Sequence, residues 1–121
     1  MSNPEPGAGA LLDGLLDSLL GDFSFWFERG LLLLSHCPDG VMAAQDRHVL
    51  ADQLQLASRE LAAARSLRQA APAPMALEMA TLAPWHRLVL EVWGLSAKLR
   101  LAQVPLPELP PLPPLPNLGE A

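Results

Sequence analysis

A chain of 121 residues has room for one domain, and its net charge of −5 lacks the basic excess that phosphate binding demands, so nucleic acid is excluded as a partner class. Half of the residues are apolar and only 17% are charged, which excludes disorder of the whole chain. The one cysteine, Cys37, leaves no partner for an internal disulfide and suits a reducing compartment.

Residues 1–9 are rich in Pro and Gly and are expected to be disordered. No basic segment precedes the first apolar stretch, so no secretory signal is read there and a cytoplasmic location is expected.

The first predicted helix runs from about Ala10 to Ser35. Leu12, Leu15, Leu16, Leu19, Leu20, Phe23, Trp26, Phe27, Leu31 and Leu34 recur at i, i+3, i+4 spacing and form its apolar stripe. Gly14, Gly21 and Gly30 each weaken a helix by about 1 kcal/mol relative to Ala, so packing must hold it. Asp13, Asp17, Asp22, Glu28 and Arg29 interrupt the leucine run, and a membrane span would have to bury them. Pro38 ends the helix, and Asp39-Gly40 fits a turn.

The second predicted helix covers about Val41 to Ala70. Leu50, Leu54, Ala57, Leu61 and Ala64 follow a 4-3-4-3 spacing, a seam suited to a helical hairpin with the first helix. Arg59, Arg65 and Arg68 form the only local basic cluster and read as a solvated face. Ala71-Pro72-Ala73-Pro74 breaks the helix, and Met75 to Ala83 fits either a packed loop or a helical turn. Pro84 suits the first position of a third helix, where a missing N–H costs nothing. That helix reaches about Gln103, with Trp85, Leu88, Val92, Leu95 and Leu99 as its seam and Val89 and Trp93 widening it.

From residue 104 the chain reads as a tail. Seven of the twelve residues Pro105–Pro116 are proline, which forbids regular helix and favours polyproline II or disorder. The fold class that follows is all-α: a three-helix antiparallel bundle, or a long hairpin plus a third helix, spanning residues 10–103.

No catalytic or metal-ligating pattern emerges. His36, Cys37 and His48 lack the paired spacing of a zinc site. Cys37 sits at a helix C-terminus, where the dipole opposes a thiolate. Asp13 and Asp17 share a helix face, and favourable charge near a helix N-terminus accounts for them better than acid–base chemistry. Nucleotide-loop, zinc-protease and nucleophile-elbow signatures are missing. No cofactor is expected, and the chain is not read as an enzyme.

The aromatic run Phe23, Phe25, Trp26, Phe27 is the most distinctive local feature. Phe25 falls with Leu32 away from the apolar stripe on a 100° wheel, so both are candidates to contact a protein partner or a second copy.

The run Leu19-Leu20-Gly21-Asp22-Phe23-Ser24-Phe25-Trp26-Phe27-Glu28-Arg29, together with Ala63–Leu67 and with Ala83-Pro84-Trp85-His86-Arg87-Leu88-Val89 followed by Trp93, resembles a small cyanobacterial family, domain of unknown function 2605. The chain departs from the family pattern at Gly21, where an acidic or polar residue is expected, and its proline-rich tail is its own. The resemblance implies a cytoplasmic helical protein of cyanobacteria and no particular activity. It marks Trp26, Trp85, His86 and Trp93 as family-defining, with no role assigned. A non-catalytic interaction or assembly module is the leading expectation. The alternatives are a peripheral membrane protein lying on its Leu11–Leu34 helix, and a binder of a pigment or small molecule near Trp85 and His86.

Overall fold

The computed structural model describes residues 6–70 and 79–107. They form three helices, α1 (Pro6–Ser35), α2 (Ala44–Ala70) and α3 (Met79–Leu101), and contain no strand. The expected all-α, three-helix architecture is thus present. The Ala71–Pro74 break and most of the proline-rich tail lie outside the described residues.

α1 is the central element, and α2 and α3 each pack along it while touching one another over only a short stretch. α2 runs antiparallel to α1, since Arg68 near its end reaches Asp13 and Asp17 near the start of α1. α3 runs parallel to α1, with Trp85 against Phe23 and Trp93 against Trp26 further on.

The core follows the predicted seams in α2 and α3. Leu50, Leu54, Ala57 and Leu61 are buried on α2, and Trp85, Val89, Val92, Leu95 and Leu99 on α3. α1 contributes Leu20, Phe23, Phe27, Leu33 and Leu34. Phe27, Leu33, Leu54 and Val92 are wholly out of solvent, which is worth about 1.5–3 kcal/mol for each side chain of this kind.

The α1 stripe differs from its sequence reading in two places. Leu12 and Leu19 stay exposed, and Leu33, off the predicted stripe, is fully buried. A helix held between two neighbours buries a wider arc than a single stripe at one end and less at the other. Gly30 stands at the closest approach of the three helices. A Cβ there would lie 2.6 Å from Val92 Cγ2 and 2.8 Å from Leu54 Cδ1. Gly14 and Gly21 face open space.

Helix ends also shift. Pro6 opens α1 four residues before the predicted Ala10 start, in a first turn that tolerates proline. Pro84 lies inside α3 rather than at its start. Leu82 packs against the core, which draws the preceding turn into the helix, and Ala80, whose carbonyl Pro84 cannot serve, is exposed to water. Between α1 and α2, Arg47 ties the connection down by pairing with Asp39 at 2.6 Å and donating to the Met42 carbonyl at 3.0 Å.

α3 closes with a Schellman turn. The Val104 N–H donates to the Leu99 carbonyl and the Gln103 N–H to the Arg100 carbonyl, both at 3.0 Å, with Gln103 left-handed at φ 56°. The chain reverses there, and Val104 and Leu106 pack against the core.

Candidate functional site

Helical geometry places the aromatic run of α1 on two faces. Phe23 and Phe27, four residues apart, turn inward and stack with ring centroids 6.0 Å apart. Phe23 also meets buried Trp85 edge-on at 5.7 Å. Phe25 and Trp26 project to the side and rest edge to face at 5.2 Å, both half-buried.

Trp26 in turn meets Trp93 of α3 edge to face at 5.6 Å. Trp93 does not join the buried seam as its spacing predicted. It remains 47% exposed. Leu90, one turn before it, is also exposed. The result is a half-open aromatic face shared by the two helices.

Arg29, one turn beyond Trp26, lies over its ring with the guanidinium carbon 5.8 Å from the centroid. Burial lowers its pKa, and the like charge of Arg100 lowers it further. Its Nε is buried and has no hydrogen-bond partner among the described residues. A buried donor left unpaired costs about 1–3 kcal/mol, so this atom marks a place where an acceptor belongs. Asp22, one turn before Trp26 on the same face, is half-buried, and burial raises its pKa.

Of the two candidate contact residues, Phe25 is on this face and Leu32 is half-buried at its edge. Of the family-defining residues, Trp26 and Trp93 are brought together. Trp85 is locked in the core, and its neighbour His86 is exposed. Sequence reasoning missed Arg29 and Arg100. Their shared face depends on how α3 lies beside α1.

Asp13 and Asp17 lie beyond the first turn of α1, so the favourable N-terminal charge expected of them is not what they supply. Both accept from Arg68, at 2.6 and 3.1 Å, and Arg68 also donates to the Asp13 carbonyl at 3.0 Å. The Arg68 side chain is only 4% exposed, so it is an inter-helix clamp and not part of a solvated face. Cys37 is buried, and its thiol approaches only the Pro38 carbonyl, at 3.6 Å. His36 and His48 are exposed. Among the described residues no group of three His, Cys, Asp or Glu side chains could hold a metal ion.

A concavity of about 360 Å³ lies between α2 and α3, with Leu56, Trp85 and Leu88 on its apolar wall and Glu60, Arg87 and Glu91 around it. His86 is not on its lining. Among the described residues no hydrogen bond or ion pair organises those charges, and no unpartnered buried polar atom is on the lining.

Three helices with α1 in the middle, an apolar core and an aromatic side face define a small all-α bundle. The chain belongs to the family described as protein of unknown function (DUF2605), whose family model matches residues 6–101, from the first residue of α1 to the last of α3. No curated protein and no solved structure matches it. Among the described residues no helix is long and apolar enough to cross a membrane.

Proposed function

We propose that the chain is a non-catalytic protein-interaction or assembly module that docks a protein through the Phe25–Trp26–Trp93 face, in the cytoplasm of a cyanobacterial cell as the family resemblance implies. One observation carries the reading. Trp93 and Leu90 keep about half their surface in water on a bundle that otherwise buries its aromatic residues well, and Trp26 and Phe25 continue that surface onto α1. Half-exposed tryptophan beside arginine is the composition from which protein-binding hot spots are made. Among the described residues no reactive group stands with a partner able to activate it: the thiol is buried, His36, His48 and His86 are exposed, and Asp13 and Asp17 are held by Arg68.

Affinity capture from a host extract tests the reading when run with the native chain and with Phe25→Ser/Leu32→Ser. The double variant should keep its helical signal and lose captured proteins that the native chain retains. Sedimentation of both chains alone reports whether the captured partner is a second copy. An identical capture profile for the two chains overturns the proposal.

A further inference from the structure

The proline-rich segment carries a second pattern. Leu106, Leu109, Leu112 and Leu115 recur at every third position. Polyproline II has three residues per turn, so this spacing sets all four leucines along one edge of the segment. The first is already seated, because Leu106 packs against the core with Val104. The Schellman turn at Gln103 has by then reversed the chain, so it leaves α3 heading back along the bundle.

We propose that Pro107–Pro116 docks in cis on the α1/α3 face, leucine edge inward against Phe25, Trp26 and Trp93, with one of its backbone carbonyls accepting the Arg29 Nε–H. Polyproline II makes no internal hydrogen bonds, so its carbonyls are free acceptors, and aromatic-lined surfaces are what such segments dock on. The reach is sufficient. Ten residues in this conformation extend roughly 31 Å, whereas α1 from Leu33 back to Asp22 covers roughly 17 Å.

The charges agree. Arg29 and Arg100 have no carboxylate partner among the described residues, and Glu108 is the one acidic residue of Pro105–Pro116. The groove between α2 and α3 is the poorer fit, because two of the three charges around it, Glu60 and Glu91, are carboxylates that Glu108 would meet with like charge. The inference goes beyond the interaction reading. It concerns what covers the aromatic face in the isolated chain, and it holds or fails whether or not a partner exists.

The test uses the full chain with a photoreactive phenylalanine analogue in place of Leu112, mixed with isotope-labelled chain before irradiation. The expected product is a cross-link within one chain to peptides spanning residues 22–32 or 90–100. Cross-links to α2, cross-links only between labelled and unlabelled chains, or no cross-link overturn the proposal. Emission from Leu112→Asp/Leu115→Asp gives a second readout. Trp26 and Trp93 should shift to the red and become more open to acrylamide, while buried Trp85 contributes no change. An emission spectrum and quenching equal to those of the native chain also overturn it.

Discussion

Trp26 and Trp93 meet edge to face with ring centroids 5.6 Å apart, and this contact joins two of the three motifs that carry the family resemblance. One lies midway along α1 and the other in the second half of α3. The pair divides the labour of the tryptophans. Trp85 and Phe23 build the core a few residues away, while Trp26 and Trp93 leave one flank of the bundle half open.

Trp93→Ser should therefore cost only about 1 kcal/mol, the worth of an aromatic pair at a half-exposed site. Trp85→Ala should cost about 3–5 kcal/mol, because it empties a buried site. Urea denaturation of the two variants checks the contrast.

The glycines of α1 should respond with opposite signs. Gly21→Ala meets open space and should stabilise by up to about 1 kcal/mol through helix propensity. Gly30→Ala drives a methyl group to 2.6 Å from Val92 Cγ2. Overpacking of about 1–3 kcal/mol then outweighs the propensity gain, and the variant should be less stable. Thermal unfolding of both chains decides it.

Arg68→Ala removes the clamp between the end of α2 and the start of α1. Charge-assisted bonds of this kind contribute roughly 1.5–3 kcal/mol. The carboxylates left behind are 44% and 67% exposed, so water rehydrates them, and the loss should fall at the low end. Amide exchange should quicken first at residues 8–18, while the Phe27 level stays protected.

Asp22 links stability to pH. Burial raises its pKa in the folded chain above the ordinary carboxylate value. The folded state therefore binds more protons than the unfolded state between those two values, and its stability falls as pH rises through that window. Asp22→Asn should be more stable than the native chain at pH 7. The two should converge as pH falls to about 3, where the native carboxyl is mostly protonated in both states. Denaturation midpoints of both chains across pH 3–7 test this, and a constant difference would contradict it.

Much of the fold is legible as periodicity. The 4-3-4-3 seam of α2 matches its buried residues because α2 packs mainly on α1 and only briefly on α3, so a single stripe describes it. α1 packs on two neighbours, and a one-stripe wheel misplaces Leu33 and Leu19. Trp93 points along the predicted stripe yet stays 47% exposed, since spacing gives a residue's direction and not how far its neighbours cover it. The Arg68 clamp joins positions 55 and 51 apart, and no local pattern announces such a pair. Arg29 stands in the sequence only as a charge that interrupts the leucine run, and it takes α3 to bring Arg100 near it and to leave its buried Nε without an acceptor among the described residues.

The central claim is that the aromatic flank of α1 and α3 is the docking surface. Quantitative capture from a host extract by the native chain, by Trp93→Ser and by Leu67→Ser tests it most directly. Leu67 is 61% exposed on α2, outside the Phe25–Trp26–Trp93 face, and so serves as the control. The account predicts that Trp93→Ser loses the native partners while Leu67→Ser keeps them. Equal loss in both variants, or none in either, would contradict it.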